Sequence, residues 1–110
     1  MTLTTHVLDT STGLPAAGIA IVLYAVDGAA RARIASATTN ADGRTVTPLS
    51  VTLEPGRYEL TFAVAHYFED RGIATFYDEI TIRFRIAGGP SHYHVPLLLA
   101  PWGYSTYRGS

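Results

Sequence analysis

Four histidines, His6, His66, His92 and His94, offer the widest chemistry in this chain, because an unperturbed imidazole titrates near pH ~6.5 and can serve as base, acid or metal ligand. His92 and His94 stand two apart, a spacing that points both rings to one face of a strand. Such a pair could open a zinc site with His6 as a third nitrogen. It could equally do general acid–base work, or be ordinary surface or hydrogen-bonded core histidines. Pattern alone leaves these alternatives open. Arg44 leaves the turn cluster Asn40-Ala41-Asp42-Gly43 directly, and its permanently charged planar fork suits a carboxylate or a urea-like group.

The carboxylates point elsewhere. Asp9, Asp27 and Asp42 stand at turns, and Glu69-Asp70 falls in a short helical stretch; none forms a pair spaced for glycoside chemistry, so structural roles are expected. No Gly-x-Ser-x-Gly elbow, phosphate loop or dinucleotide fingerprint occurs. The chain closes on Tyr104-Ser105-Thr106-Tyr107-Arg108-Gly109-Ser110, a strand-like aromatic tail. Either it is a simple edge strand with a solvated Arg, or it docks against a site or a neighbouring subunit.

Composition narrows the classes. The 110 residues fit one domain, and 47% apolar against 15% charged residues excludes a disordered chain. A net charge of −1 argues against a nucleic-acid binder that needs a basic stripe. All eight Lys-plus-Arg positions are arginine, and there is no cysteine to build a disulfide frame or a thiolate site. Neither a secretory leader nor a run approaching the ~18 apolar residues of a membrane span is present, so a soluble cytoplasmic protein is expected.

Short alternating runs separated by turn residues predict an all-β sandwich. Strands are expected over residues 3–9, 19–26, 31–38, 57–64, 79–86, 93–99 and 104–107, with a short or edge run at Thr45-Val46-Thr47-Pro48. Residues 66–72 break the alternation and predict two helical turns stopped by Gly72. Gly88-Gly89-Pro90 is the last strong break. The sum is seven or eight strands and one short helix in a single domain over residues 1–110.

Several stretches together resemble the 5-hydroxyisourate hydrolases, also called transthyretin-like or transthyretin-related proteins. They are Thr5-His6-Val7-Leu8-Asp9 with Gly13-x-Pro15-Ala16, Thr39-Asn40-Ala41-Asp42-Gly43-Arg44, Tyr93-His94-Val95-Pro96-Leu97-Leu98, and the ending Tyr107-Arg108-Gly109-Ser110, the most specific of the four. Asp78 departs from the family's proline. The resemblance implies a two-sheet transthyretin-like sandwich, assembled as a homotetramer with active sites where two dimers meet. It implies that water opens the ring of 5-hydroxyisourate at an amide carbonyl, giving 2-oxo-4-hydroxy-4-carboxy-5-ureidoimidazoline in urate degradation. No metal or organic cofactor and no nucleic-acid or membrane partner is implied. His6, Arg44 and His94 match the catalytic trio; His6, Arg44, Tyr107, Arg108, Gly109 and Ser110 match the substrate-binding wall; His66 and His92 match nothing essential. Without the chemistry, the same channel would suit a carrier of an aromatic small molecule.

Overall fold

The computed structural model describes residues 2–49, 53–88 and 92–109. Eight strands and one helix follow the chain as β1 (Thr2–Asp9), β2 (Leu14–Pro15), β3 (Ala20–Asp27), β4 (Ala30–Thr38), β5 (Gly56–Phe62), α1 (Val64–Glu69), β6 (Ile80–Ile86), β7 (His92–Ala100) and β8 (Gly103–Thr106). They form two four-stranded sheets, β2-β1-β7-β8 and β4-β3-β5-β6, the sandwich that the alternation predicts. Strict alternation in β1 sends Leu3, Thr5, Val7 and Asp9 inward and leaves Thr2, Thr4, His6 and Leu8 on the outer face. Leu3, Val7, Leu97 and Leu99 of one sheet meet Ile21, Leu23, Leu60, Phe62 and Ile80 of the other, all at most 2% exposed. Each such side chain contributes about 1.5–3 kcal/mol of burial.

β1 and β7 run parallel, with Thr2 opposite His92, Thr4 opposite His94 and His6 opposite Pro96. A parallel pair needs a long connection, and here nearly the whole protein lies between the two strands. The other ladders are antiparallel. Asp27-Gly28-Ala29-Ala30 closes the β3–β4 hairpin with Gly28 at φ 60°.

Three expectations are corrected. The run from Thr45 to Pro48 is not a strand: the Thr45 hydroxyl turns back to the Thr47 carbonyl at 2.5 Å, a local bond that competes with pairing, and Pro48 has no N–H to give. Only Arg44 of this region bridges to a strand, opposite His6. The eighth strand is instead the two-residue β2. The strand expected to reach Val64 stops at Phe62, and the helix expected at residues 66–72 runs Val64–Glu69. Val64 is fully buried either way, so its apolar side chain fits both a strand and a helix facing the core. Gly72 does end the helical segment, at φ 68°. Lastly, the closing strand is Gly103–Thr106 rather than 104–107. Gly89 and Pro90 of the predicted break lie outside the described residues. Among those described, no helix is long and apolar enough to cross a membrane.

Candidate active site

The outer face of the β2-β1-β7-β8 sheet carries a recess of about 300 Å³ lined by Thr4, His6, Arg44, His92, His94, Tyr107 and Gly109. Four neighbouring strips of backbone supply these residues. Thr4 and His6 come from the outward register of β1, and His92 and His94 from the same register of β7.

Arg44 arrives from the 39–44 loop. The Asn40 side-chain oxygen accepts the N–H groups of Asp42 (2.9 Å) and Arg44 (3.2 Å), while the Asn40 carbonyl accepts that of Gly43 (2.9 Å). Gly43 has φ 72°, and its carbonyl accepts the Val7 N–H at 2.8 Å. A side chain there would strike the Val7 carbonyl, so the glycine both allows the left-handed turn and lets Arg44 close on β1. Among the described residues no ion pair or hydrogen bond engages the Arg44 guanidinium, which leaves its donors for a ligand.

The tail continues β8. Leu97 pairs with Thr106 and His94 with Gly109, so two residues on each strand separate the pairs and the register is unbroken. The gap falls at Pro96, which cannot donate to the ladder. Antiparallel alternation then puts Tyr107 and Gly109 on the recess face and Arg108 on the other. Arg108 indeed lies over the Tyr93 ring, 4.4 Å from its centroid, and does not line the recess. Ser110 lies outside the described residues.

His94, 8% exposed, is the most enclosed group of the site. Its Nε2 faces His6 Nδ1 at 2.7 Å and its Nδ1 faces the Thr4 hydroxyl at 2.8 Å. Both ring nitrogens are thus engaged, while His6 Nε2 has no partner among the described residues. Burial pushes the His6 pKa below the usual 6.5, and Arg44 adds to that; burial, then His6, Arg44 and His92, push His94 the same way against a hydrogen bond to the Thr4 backbone. Both shifts favour the neutral rings near pH 7.

The third-ligand idea for zinc does not fit this arrangement. His6 and His94 hydrogen-bond each other directly, and the described residues hold no group of three or more His, Cys, Asp or Glu placed to grip a metal. His66 is an exposed helix residue outside the recess. Asp9 is structural: its carboxylate accepts the Ser11 N–H (3.0 Å) and the Tyr67 hydroxyl (2.9 Å), tying β1 to α1. Thr4 is the recess residue the sequence reading passed over, and His92, which it placed on one face with His94, is the one the resemblance set aside. Their signal was the shared parity of residues 2, 4 and 6 with 92 and 94, which needs the parallel register to become visible.

Residues 3–109 match the HIUase/Transthyretin family. The chain belongs to this family. It is 51% identical over 113 residues to the 5-hydroxyisourate hydrolase of Deinococcus radiodurans, covering 98% of this chain and 95% of that one. Among solved structures it resembles Klebsiella pneumoniae 5-hydroxyisourate hydrolase, with a TM-score of 0.87, 41% identity and all of both chains covered. It also resembles sea bream transthyretin in complex with thyroxine, with a TM-score of 0.92, 26% identity and 99% and 95% covered. The fold is therefore shared by a 5-hydroxyisourate hydrolase and by a transthyretin that binds thyroxine, and the fold alone does not separate the two.

Proposed function

We propose that His6, His94 and Arg44 carry the hydrolysis of 5-hydroxyisourate by this chain, a cyclic amide hydrolase of urate degradation. The observation that carries the assignment is the direct His6–His94 hydrogen bond of 2.7 Å in one recess with the Arg44 guanidinium, which has no partner among the described residues. His6 Nε2 takes a proton from the attacking water. Hydroxide adds to the amide carbonyl, and Arg44 holds the oxygen as it gains charge. The C–N bond then breaks, and His6 returns the proton to the leaving nitrogen. One water is consumed; its oxygen ends on the new carboxylate. His94 holds His6 in place through their 2.7 Å bond, and Tyr107 with Gly109 orients the ring. The substrate-wall roles expected of Arg108 and Ser110 belong to the same proposal; in the single chain the Arg108 guanidinium lies on the opposite face.

Assembly as a homotetramer with sites between two dimers is the second part of the reading. Tyr107, 56% exposed, lines the recess, and Val46, 88% exposed, stands two residues after Arg44. Among the described residues the sheets also end on the edge strands β2, β8, β4 and β6, and such edges invite pairing with a second copy.

The test adds freshly made 5-hydroxyisourate and follows loss of its ultraviolet absorbance against the spontaneous rate. Acceleration that survives chelator treatment and disappears in His6→Asn supports the assignment; decay at the spontaneous rate would leave the carrier reading. Light scattering during size exclusion should return four times the 11.8 kDa chain mass, and a monomer mass removes the assembly.

A further inference from the structure

Beside the catalytic pair lies an ordered array that the reaction above does not yet use. The Thr2 hydroxyl faces His92 Nδ1 at 2.5 Å, the Thr4 hydroxyl faces His92 Nε2 at 3.1 Å and His94 Nδ1 at 2.8 Å, and His94 Nε2 faces His6 Nδ1 at 2.7 Å. The His92 and His94 rings are nearly parallel, with 14° between their planes and centroids 6.3 Å apart. Five side chains from two strands thus form one continuous chain of hydrogen bonds from exposed His92 to the recess.

A neutral imidazole has one N–H and one lone pair, and a hydroxyl has a single hydrogen. Thr4, lying between two ring nitrogens, must therefore donate to one and accept from the other. That constraint leaves two arrays in which every bond is made. In the first, all three histidines carry hydrogen on Nε2, and His6 shows the recess an N–H. In the second, all three carry it on Nδ1, and His6 Nε2 shows a lone pair. Arg44, a donor without any acceptor, lines the same recess and favours the second array.

We propose that Thr4 and His92 are positioning residues that hold His94 and His6 in their Nδ1–H forms, keep His6 Nε2 basic, and pass its proton to solvent and back. The proposal rests on His6 being the base. When His6 Nε2 takes hydrogen from water, its Nδ1 hydrogen moves to His94 Nε2. The His94 Nδ1 hydrogen moves to Thr4, and that of Thr4 to His92 Nε2. His92 Nδ1 releases one hydrogen to Thr2 or bulk water, and the array has switched to its Nε2–H form with no net proton gained. The reverse sequence delivers a proton to the leaving nitrogen and restores the starting array. Three of the four contacts are 2.8 Å or shorter and the fourth, Thr4 to His92, is 3.1 Å, all within reach for transfer along hydrogen bonds.

The experiment uses the full chain. Long-range proton–nitrogen spectra of nitrogen-15-labelled protein at pH 7 to 8 report which ring nitrogen of each histidine is protonated. The expected result is Nδ1–H at His6, His92 and His94, with His94 moving toward Nε2–H in Thr4→Val. In kinetics, Thr4→Val and His92→Phe should each lower kcat on the order of tenfold with KM little changed. The acid limb of the Thr4→Val profile should move to lower pH, because the hydroxyl that accepts from His94 Nδ1–H, and so favours the imidazolium, is gone, with Thr4→Ser restoring it. The charged or titratable neighbours entering that profile are His6, Arg44 and His92 around His94, and Arg108, whose guanidinium reaches the His92 carbonyl at 3.4 Å. His92→Phe is an exposed replacement, so it carries the kinetic test even if Thr4→Val unfolds. Nε2–H at His94 in the wild type, or wild-type kcat and pH profile in both variants, overturns the proposal. A wild type that fails to hydrolyse 5-hydroxyisourate defeats the functional assignment instead, and the spectra still decide the array.

Discussion

Gly109 lies against the His94 ring so closely that a Cβ built on it would sit 2.6 Å from His94 Cδ2, while its N–H bonds the His94 carbonyl at 2.7 Å. The tail and the His94 imidazole therefore share one space, and a side chain can be added only by moving the ring. Gly109→Ala should cost on the order of 10²-fold in kcat, the usual penalty for misplacing a reacting group by about 1 Å. Circular dichroism should find the sandwich intact, because the atoms nearest the added methyl all belong to His94. Unchanged turnover in this variant would separate the tail from the positioning of His94.

Arg44→Lys keeps the charge but loses the fork. A loss in kcat of about 10²-fold or more is expected if the guanidinium stabilises the developing oxyanion. Steady-state kinetics should place the loss in kcat rather than in KM. An effect confined to KM would assign Arg44 to ground-state binding alone.

The pH dependence follows from the direction in which the two imidazoles are displaced. Burial and Arg44 lower the His6 pKa, and burial with its charged neighbours lowers that of His94, so activity should stay level through pH 7 and fall with an acid limb centred below 6.5. The same displacement couples to stability. Between 6.5 and the lower folded values the unfolded chain binds more protons, so stability is complete above 6.5 and declines as pH falls through that window. Urea titrations from pH 5 to 8 should show the decline, and His6→Asn with His94→Asn should flatten it. A limb at or above 7 would contradict the burial argument.

Tyr67→Phe removes the hydroxyl that Asp9 accepts at 2.9 Å and leaves the Arg71 guanidinium over the ring at 3.7 Å. Asp9 is 1% exposed, so the lost bond should destabilise the fold by about 1–2 kcal/mol. Turnover at a permissive temperature should not change, since the pair sits on the core side of β1. A variant as stable as the parent would show the Asp9 oxygen to be satisfied without Tyr67.

Much of this was legible in the residues themselves. Leu3–Asp9, Tyr58–Phe62 and Ile80–Ile86 announce their strands by alternation, and His6, Arg44, His94, Tyr107 and Gly109 meet in one recess as the family resemblance implies. What escaped depended on partners distant in sequence. β2 has two residues, too few for any periodicity, and exists because Leu8 and Asp9 pair with it. Val64 continues an apolar alternation that the chain abandons for a helix. His92 looks idle until the parallel register sets it beside Thr2 and Thr4. Arg108 belongs to the specific ending, yet strand alternation turns it to the opposite face from its neighbours.

The parallel seam between β1 and β7 has a consequence for how activity emerges during folding. His6 and His94 are 88 residues apart, and Thr4 and His94 are 90 apart, so no hairpin or contiguous fragment can assemble the recess. Closing so long a loop is entropically costly and slow relative to forming the local hairpins. The return of turnover after dilution from denaturant should accordingly lag behind the recovery of strand signal, timing the moment when the two distant ends of the polypeptide meet.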